Sequence, residues 1–86
     1  MMMKIQVFGM GCRNCHQLEA NVKQAVAKSG ITAEVEMVTD PVKIAEAGIM
    51  MTPALAINGD VVTMGRVVRI EEILEILDGM QRTGVR

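Results

Sequence analysis

The sequence predicts an α/β domain: a four-stranded mixed sheet with helices on both faces, in the order β-α-β-α-β-β-α. Three observations predict it. Short β-rich segments alternate with helical stripes, a long helix separates the first two strands, and Asn58-Gly59 sits between two later strands as a two-residue hairpin signal. A helix of about fifteen residues between strands makes those strands parallel, whereas a two-residue turn makes its strands antiparallel. The sheet is therefore mixed.

Lys4-Ile5-Gln6-Val7-Phe8 is β-rich and ends at Gly9, which reads as a first strand. After Gly9-Met10-Gly11-Cys12, the apolar residues Leu18, Val22, Ala25 and Val26 recur at helical spacing, with Ser29-Gly30 as the stop. Ala33 to Val38 alternates, with Ala33, Val35 and Met37 on one side and Glu34 and Glu36 on the other, a pattern suited to a sheet edge. Asp40-Pro41 is an N-cap followed by proline at the first helical position, so a short helix runs to about Ala47 and ends at Gly48. Thr52 to Ile57 is the third strand and Val61 to Met64 returns antiparallel. Ile70, Ile73, Leu74 and Leu77 then mark a closing amphipathic helix that is expected to end near Gly79, with Arg82 to Arg86 frayed.

Composition narrows the function classes. The chain has 86 residues, half of them apolar and 22% charged, enough for one small domain that buries about three-fifths of its open-chain surface. No repeat, linker or low-complexity tract divides it, so one domain over residues 1–86 is expected. A formal charge of −1 and a single aromatic, Phe8, argue against nucleic acid as a partner. The apolar runs are too short to span a bilayer and the first residues carry no secretory pattern, so no membrane association and a cytoplasmic location are expected.

The chemistry concentrates in Gly11-Cys12-Arg13-Asn14-Cys15-His16. The start of a helix gathers unpaired N–H groups and the positive dipole end, which favour thiolate over thiol; Arg13 adds a cation beside Cys12. Cys15, three residues on, shares a helix face with Cys12 at roughly 5–6 Å between Cβ atoms, near enough for a disulfide after small adjustments. His16 reads as an ordinary first-turn residue, with a pKa-lowering or ligating role as the alternative. The competing bland reading of the cysteines is a pair of small buried hydrophobes. A closed zinc site is not expected, because it needs four ligands and the chain supplies two cysteines and one histidine. Thr52-Pro53 has two readings: a proline tolerated at the first residue of a strand, or a cis bond beside the cysteines.

Taken together, these motifs resemble the thioredoxin-fold family, in particular its small thioredoxin-like or glutaredoxin-like redox-active disulfide proteins. The resemblance is carried by strand-Gly-x-Gly-Cys-x-x-Cys-helix, by Ile-x-x-Thr-Pro-Ala-Leu-Ala-Ile-Asn-Gly, and by Val-Val-x-x-Gly before a final helix, across residues 4 to 78. It implies a sheet lacking the extra first strand of thioredoxin and a cis Pro53 facing Cys12 and Cys15. It also implies a protein-disulfide oxidoreductase: Cys12 attacks, Cys15 resolves, and Thr52, Pro53 and Gly11 contact the substrate. Arg13, and His16 on its alternative reading, are the candidates for tuning the thiolate. No cofactor beyond the Cys12–Cys15 disulfide is implied, and no metal. The implied partners are disulfide-containing substrate proteins and an electron donor, either a thioredoxin-reductase-type enzyme or another dithiol.

The sequence departs from that family at three places. Gln6 stands where a buried Asp is usual, Gly11 replaces an aromatic, and Arg13-Asn14 replaces Gly-Pro. Glu36 is a candidate replacement proton acceptor, against the simpler reading of a solvated edge glutamate. The nine methionines read as gap-fillers and adaptable contacts, with Gly9, Met10, Gly11 and the Ile49-Met50-Met51 segment as an apolar rim. The first half also resembles heavy-metal-associated copper chaperones, through Val-x-Gly-Met-x-Cys-x-x-Cys, which implies a Cu(I)-binding module as the alternative function. A metal domain of that family would place a hairpin directly after strand two. The Asp40-Pro41 helix start speaks for the thioredoxin-like order. An inert disulfide on a thioredoxin-like scaffold is the third reading.

Overall fold

The computed structural model describes residues 3–11 and 13–84. The elements are β1 (Met3–Phe8), α1 (Arg13–Ser29), β2 (Ala33–Val38), α2 (Pro41–Glu46), β3 (Ala54–Ile57), β4 (Asp60–Met64) and α3 (Ile70–Gly84). The sheet order is β2-β1-β3-β4. β1 runs parallel to β2, with Ile5 opposite Val35, and antiparallel to β3, with Val7 opposite Leu55. β2 is an edge, as its Glu34 and Glu36 suggested. This is the thioredoxin-like order and not that of a metal-chaperone domain.

Local chemistry explains the boundaries. α1 stops where the Ser29 hydroxyl donates to the Val26 carbonyl at 2.9 Å and accepts from the Ile31 N–H at 3.2 Å, with Gly30 at φ +75°. At the start of α2 the Asp40 carboxylate accepts from the Val42 N–H at 2.9 Å. At its end, Gly48 N–H donates to Ala45 O and Ile49 N–H to Ile44 O, a paired closure of the Schellman type. Asn58 and Gly59 both have positive φ, which the two-residue hairpin requires. The Asn58 N–H donates to Lys4 O at 2.7 Å and its Oδ1 accepts from the Lys4 N–H at 2.9 Å, fastening the turn to β1.

Two boundaries differ from the expectation by more than one residue. β3 begins at Ala54 rather than Thr52, because proline has no N–H to give to a ladder. α3 does not end at Gly79: its backbone is helical through Gly84, so Arg82, Thr83 and Gly84 are helix and not a frayed tail. One interior glycine costs roughly 1 kcal/mol of propensity, too little to stop a helix docked through Ile73 and Leu77. Residues 85 and 86 lie outside the described residues.

The sheet separates two cores. Ile5, Val7, Leu55 and Ile57 face α1 and α3, meeting Leu18 and Val22 of α1 and Ile73 and Leu77 of α3. On the other face Phe8, Val38, Ala54 and Ala56 meet Ile44 of α2 and Ile49. A side-chain relay ties α1 to the segment before α3. Gln17 donates to Asn21 at 2.9 Å, and Asn21 donates to the Val68 carbonyl at 2.9 Å.

Candidate active site

β1 aims the chain at the site. Gly9 continues the strand by donating its N–H to Val38 O at 3.0 Å, then Met10 and Gly11 turn into α1. Gly11 has φ +86° with nothing among the described residues within 4 Å of a β-carbon, so glycine there serves the turn. Gly9 is glycine for the other reason. A β-carbon on it would stand 2.1 Å from Cys15 Sγ and 2.7 Å from Cys15 Cβ, so the cysteine is seated directly on the backbone of residue 9.

Cys15 is wholly buried on the inner side of α1, while Arg13, Asn14 and His16 are exposed around it. α1 begins at Arg13, immediately after Cys12 in sequence; Cys12 itself lies outside the described residues. The expected geometry of the two sulfurs therefore lies there too. His16 Nδ1 is 3.9 Å from Glu19 Oε1 along the outer surface of α1.

The Thr52-Pro53 bond is cis. Continuing the β1–β3 register of Phe8 with Ala54 by one residue sets Pro53 opposite Gly9, on whose backbone Cys15 rests. Pro53 is buried and Thr52 exposed. The Pro53 carbonyl accepts from the Gly65 N–H at 2.8 Å, which draws the end of β4 to the same place. Pro53 thus joins Cys15 through Gly9, although it is remote from both in sequence.

Other expectations are corrected. Gly9 is buried and is a seat for Cys15 rather than part of an exposed rim, and Ile49 is buried in the α2-side core. Met10, Met50 and Met51 are exposed, as a rim requires. Gln6 Nε2 donates to Glu36 Oε1 at 2.9 Å, with Lys4 Nζ 3.9 Å from the same oxygen. By strand alternation Gln6 and Glu36 share the face of Phe8, across the sheet from α1 and Cys15. Glu36 is half-exposed there, which fits the solvated edge glutamate and not a proton acceptor for Cys15. The role of Gly9 was missed by sequence reasoning. The available signal was a glycine closing a strand, which often marks a close backbone approach.

A cysteine seated on a strand-end glycine at a helix start, with a cis-proline opposite that glycine, defines a small α/β domain of the thiol–disulfide exchange class. The chain belongs to the thioredoxin domain family, whose profile matches residues 3–78. It is 49% identical over 76 residues to a protein named thioredoxin from Methanothermobacter thermautotrophicus, covering 88% of this chain and 99% of that protein. A second thioredoxin, from Methanocaldococcus jannaschii, is 43% identical over 76 residues, covering 88% of this chain and 87% of that one. Among solved structures, chloroplastic thioredoxin z superposes with a TM-score of 0.74 over 94% of this chain and 80% of that chain. At 17% identity the last match speaks for the fold alone.

Proposed function

We propose that this chain is a protein-disulfide oxidoreductase that passes two electrons from the Cys12–Cys15 dithiol to disulfides of client proteins. The burial of Cys15 against Gly9 carries the division of labour. A sulfur with no exposed surface does not meet a protein disulfide, so Cys12 makes the first attack and Cys15 the second. Relatives named thioredoxin at 49% and 43% identity support the activity.

The Cys12 thiolate attacks one sulfur of the client disulfide; the S–S bond breaks and one client thiolate leaves and takes a proton. Cys15 then gives up its proton and attacks the Cys12 sulfur of the mixed disulfide. The Cys12–Cys15 bond forms, the second client thiolate leaves, and the client is reduced by two electrons. A thioredoxin-reductase-type enzyme or another dithiol restores the pair. Arg13 and the start of α1 favour the Cys12 thiolate, with His16 a further cation when protonated. Exposed Thr52 and Gly11, with buried Pro53 beneath them, line the approach, and the Thr52 backbone offers an extended client segment strand-like pairing. Two cysteines paired at one motif suit a reducing, cytoplasmic compartment.

Among the described residues no helix is long and apolar enough to cross a membrane. The test is cysteine replacement in an insulin-reduction assay. Cys12→Ser abolishes reduction, and Cys15→Ser accumulates a mixed disulfide visible by mass. Multiple turnover by Cys15→Ser overturns the assigned order.

A further inference from the structure

Among the described residues, the exposed large hydrophobics are four methionines, Met10, Met50, Met51 and Met64, together with Val42. The methionine segments meet at one end of the sheet. Ala54 pairs with Phe8 on one side and Met64 on the other, which brings Met10, the 50–53 segment and Met64 alongside one another. Met51 lies over Gly65, its Cε 3.0 Å from where a β-carbon would stand there. Gly65 N–H in turn holds Pro53 O. Met50 is 90% exposed, an unusual state for so apolar a side chain beside a reactive site.

The charges at this end are not balanced. Arg13 is exposed and no carboxylate pairs with it among the described residues, in contrast to Arg66, whose guanidinium is bound bidentately by Glu72. A chain with formal charge −1 therefore presents, among the described residues, an unpaired cation that follows Cys12 directly in sequence and stands three residues after Met10.

We infer that this rim selects its client, resting on the exchange reaction proposed above: an extended apolar segment with a carboxylate side chain directly beside the disulfide that Cys12 attacks. The thioethers fit varied apolar side chains because methionine is unbranched and polarisable, and Arg13 reads the neighbouring charge. An exposed ion pair of this kind shifts specificity by up to about fivefold and is screened by salt.

The test uses short peptides, each with one intramolecular disulfide, that differ only beside the attacked cysteine. The first pair carries Glu or Lys there, and the second has Leu or Gly in the following positions. The expected kcat/KM ratio is about fivefold for Glu over Lys at low salt, near one in concentrated NaCl, and inverted in Arg13→Glu. The Leu over Gly preference falls toward one in the Met50→Gln, Met51→Gln double variant. Ratios taken within each variant cancel any change in thiolate reactivity or in the amount of folded protein. A Glu-to-Lys ratio near one in the unaltered protein, or a ratio that Arg13→Glu leaves in place, overturns the charge preference. An unchanged Leu-to-Gly ratio overturns the thioether contact. If neither the peptides nor a small neutral disulfide is reduced, the exchange reaction itself is wrong, whereas brisk turnover with flat ratios removes only the selectivity.

Discussion

On the face of the sheet covered by α1 and α3, two helices of four or more turns press Leu18, Val22, Ile73 and Leu77 onto Ile5, Val7, Leu55 and Ile57. On the opposite face one six-residue helix, α2, covers Phe8, Val38, Ala54 and Ala56 with Ile44 and the following Ile49. A helix that short has little stability of its own. It is held by Asp40 and Pro41 at one end, by the Gly48 closure at the other, and by Ile44 and Ile49, which those two ends turn toward the same core. The first face supplies cohesion and seats Cys15. The second leaves Gln6 and Glu36 in solvent and suspends the Met50-Met51 segment beside the site. The site stands where the two meet, so one side of it is fixed by a deep core and the other by a light one.

The largest effect should come from emptying the deep face. Leu18→Ala is expected to cost about 4 kcal/mol and Ile44→Ala about 2 kcal/mol, because a site enclosed on all sides collapses less around a cavity. Urea unfolding of the two variants compares the faces directly, and equal losses would break the contrast. Next is Gly9→Ala, which puts a methyl group 2.1 Å from Cys15 Sγ. Cys15 or the start of α1 must shift, at a cost of about 2 kcal/mol. Turnover with a protein disulfide is expected to fall by more than the loss of folded protein explains.

A smaller effect, of opposite sign, is expected at Thr63, opposite Leu55 on β4. Among the described residues its hydroxyl is buried with no hydrogen-bond partner. Thr63→Val keeps the shape and removes an unsatisfied polar atom, so it should stabilise the fold by about 1 kcal/mol, measurable as a raised urea midpoint.

The smallest effect lies on the outer surface. The Arg66 guanidinium hydrogen-bonded to Glu72 holds that carboxyl below the usual glutamate range. A depressed carboxyl pKa stabilises the fold above the unfolded value, and the contribution fades as pH falls through the folded value. Glu72 is exposed to solvent screening, so Glu72→Gln should lower Tm slightly at neutral pH and not at all in acid below that range. A persistent difference in acid would assign the loss to packing.

Much of the molecule was readable from short-range chemistry. Asp40-Pro41, Ser29-Gly30 and Asn58-Gly59 each act within a few residues of themselves, and all three mark the boundaries they signal. Glu34 and Glu36 identified the edge strand because a charged face cannot be covered at low cost. The length of α3 was not readable in this way. Gly79 is a poor helix residue considered alone, and the docking of Ile73 and Leu77 outweighs it. Nor was the slip in the β3–β4 ladder between Leu55 and Ala56 marked by any glycine or proline in those strands.

The candidate site divides along the same line. By itself the sequence singled out the residues that the proposed chemistry uses, because Cys12, Cys15, Thr52 and Pro53 belong to motifs whose spacing is local. Only the tertiary structure decided that Cys15 is buried, that Gly9 is its seat, that Ile49 turns inward while Met50 and Met51 stay in solvent, and that Gln6 and Glu36 lie across the sheet. Burial depends on distances between segments far apart in the chain, and no local pattern encodes which of two neighbouring apolar side chains another element will cover.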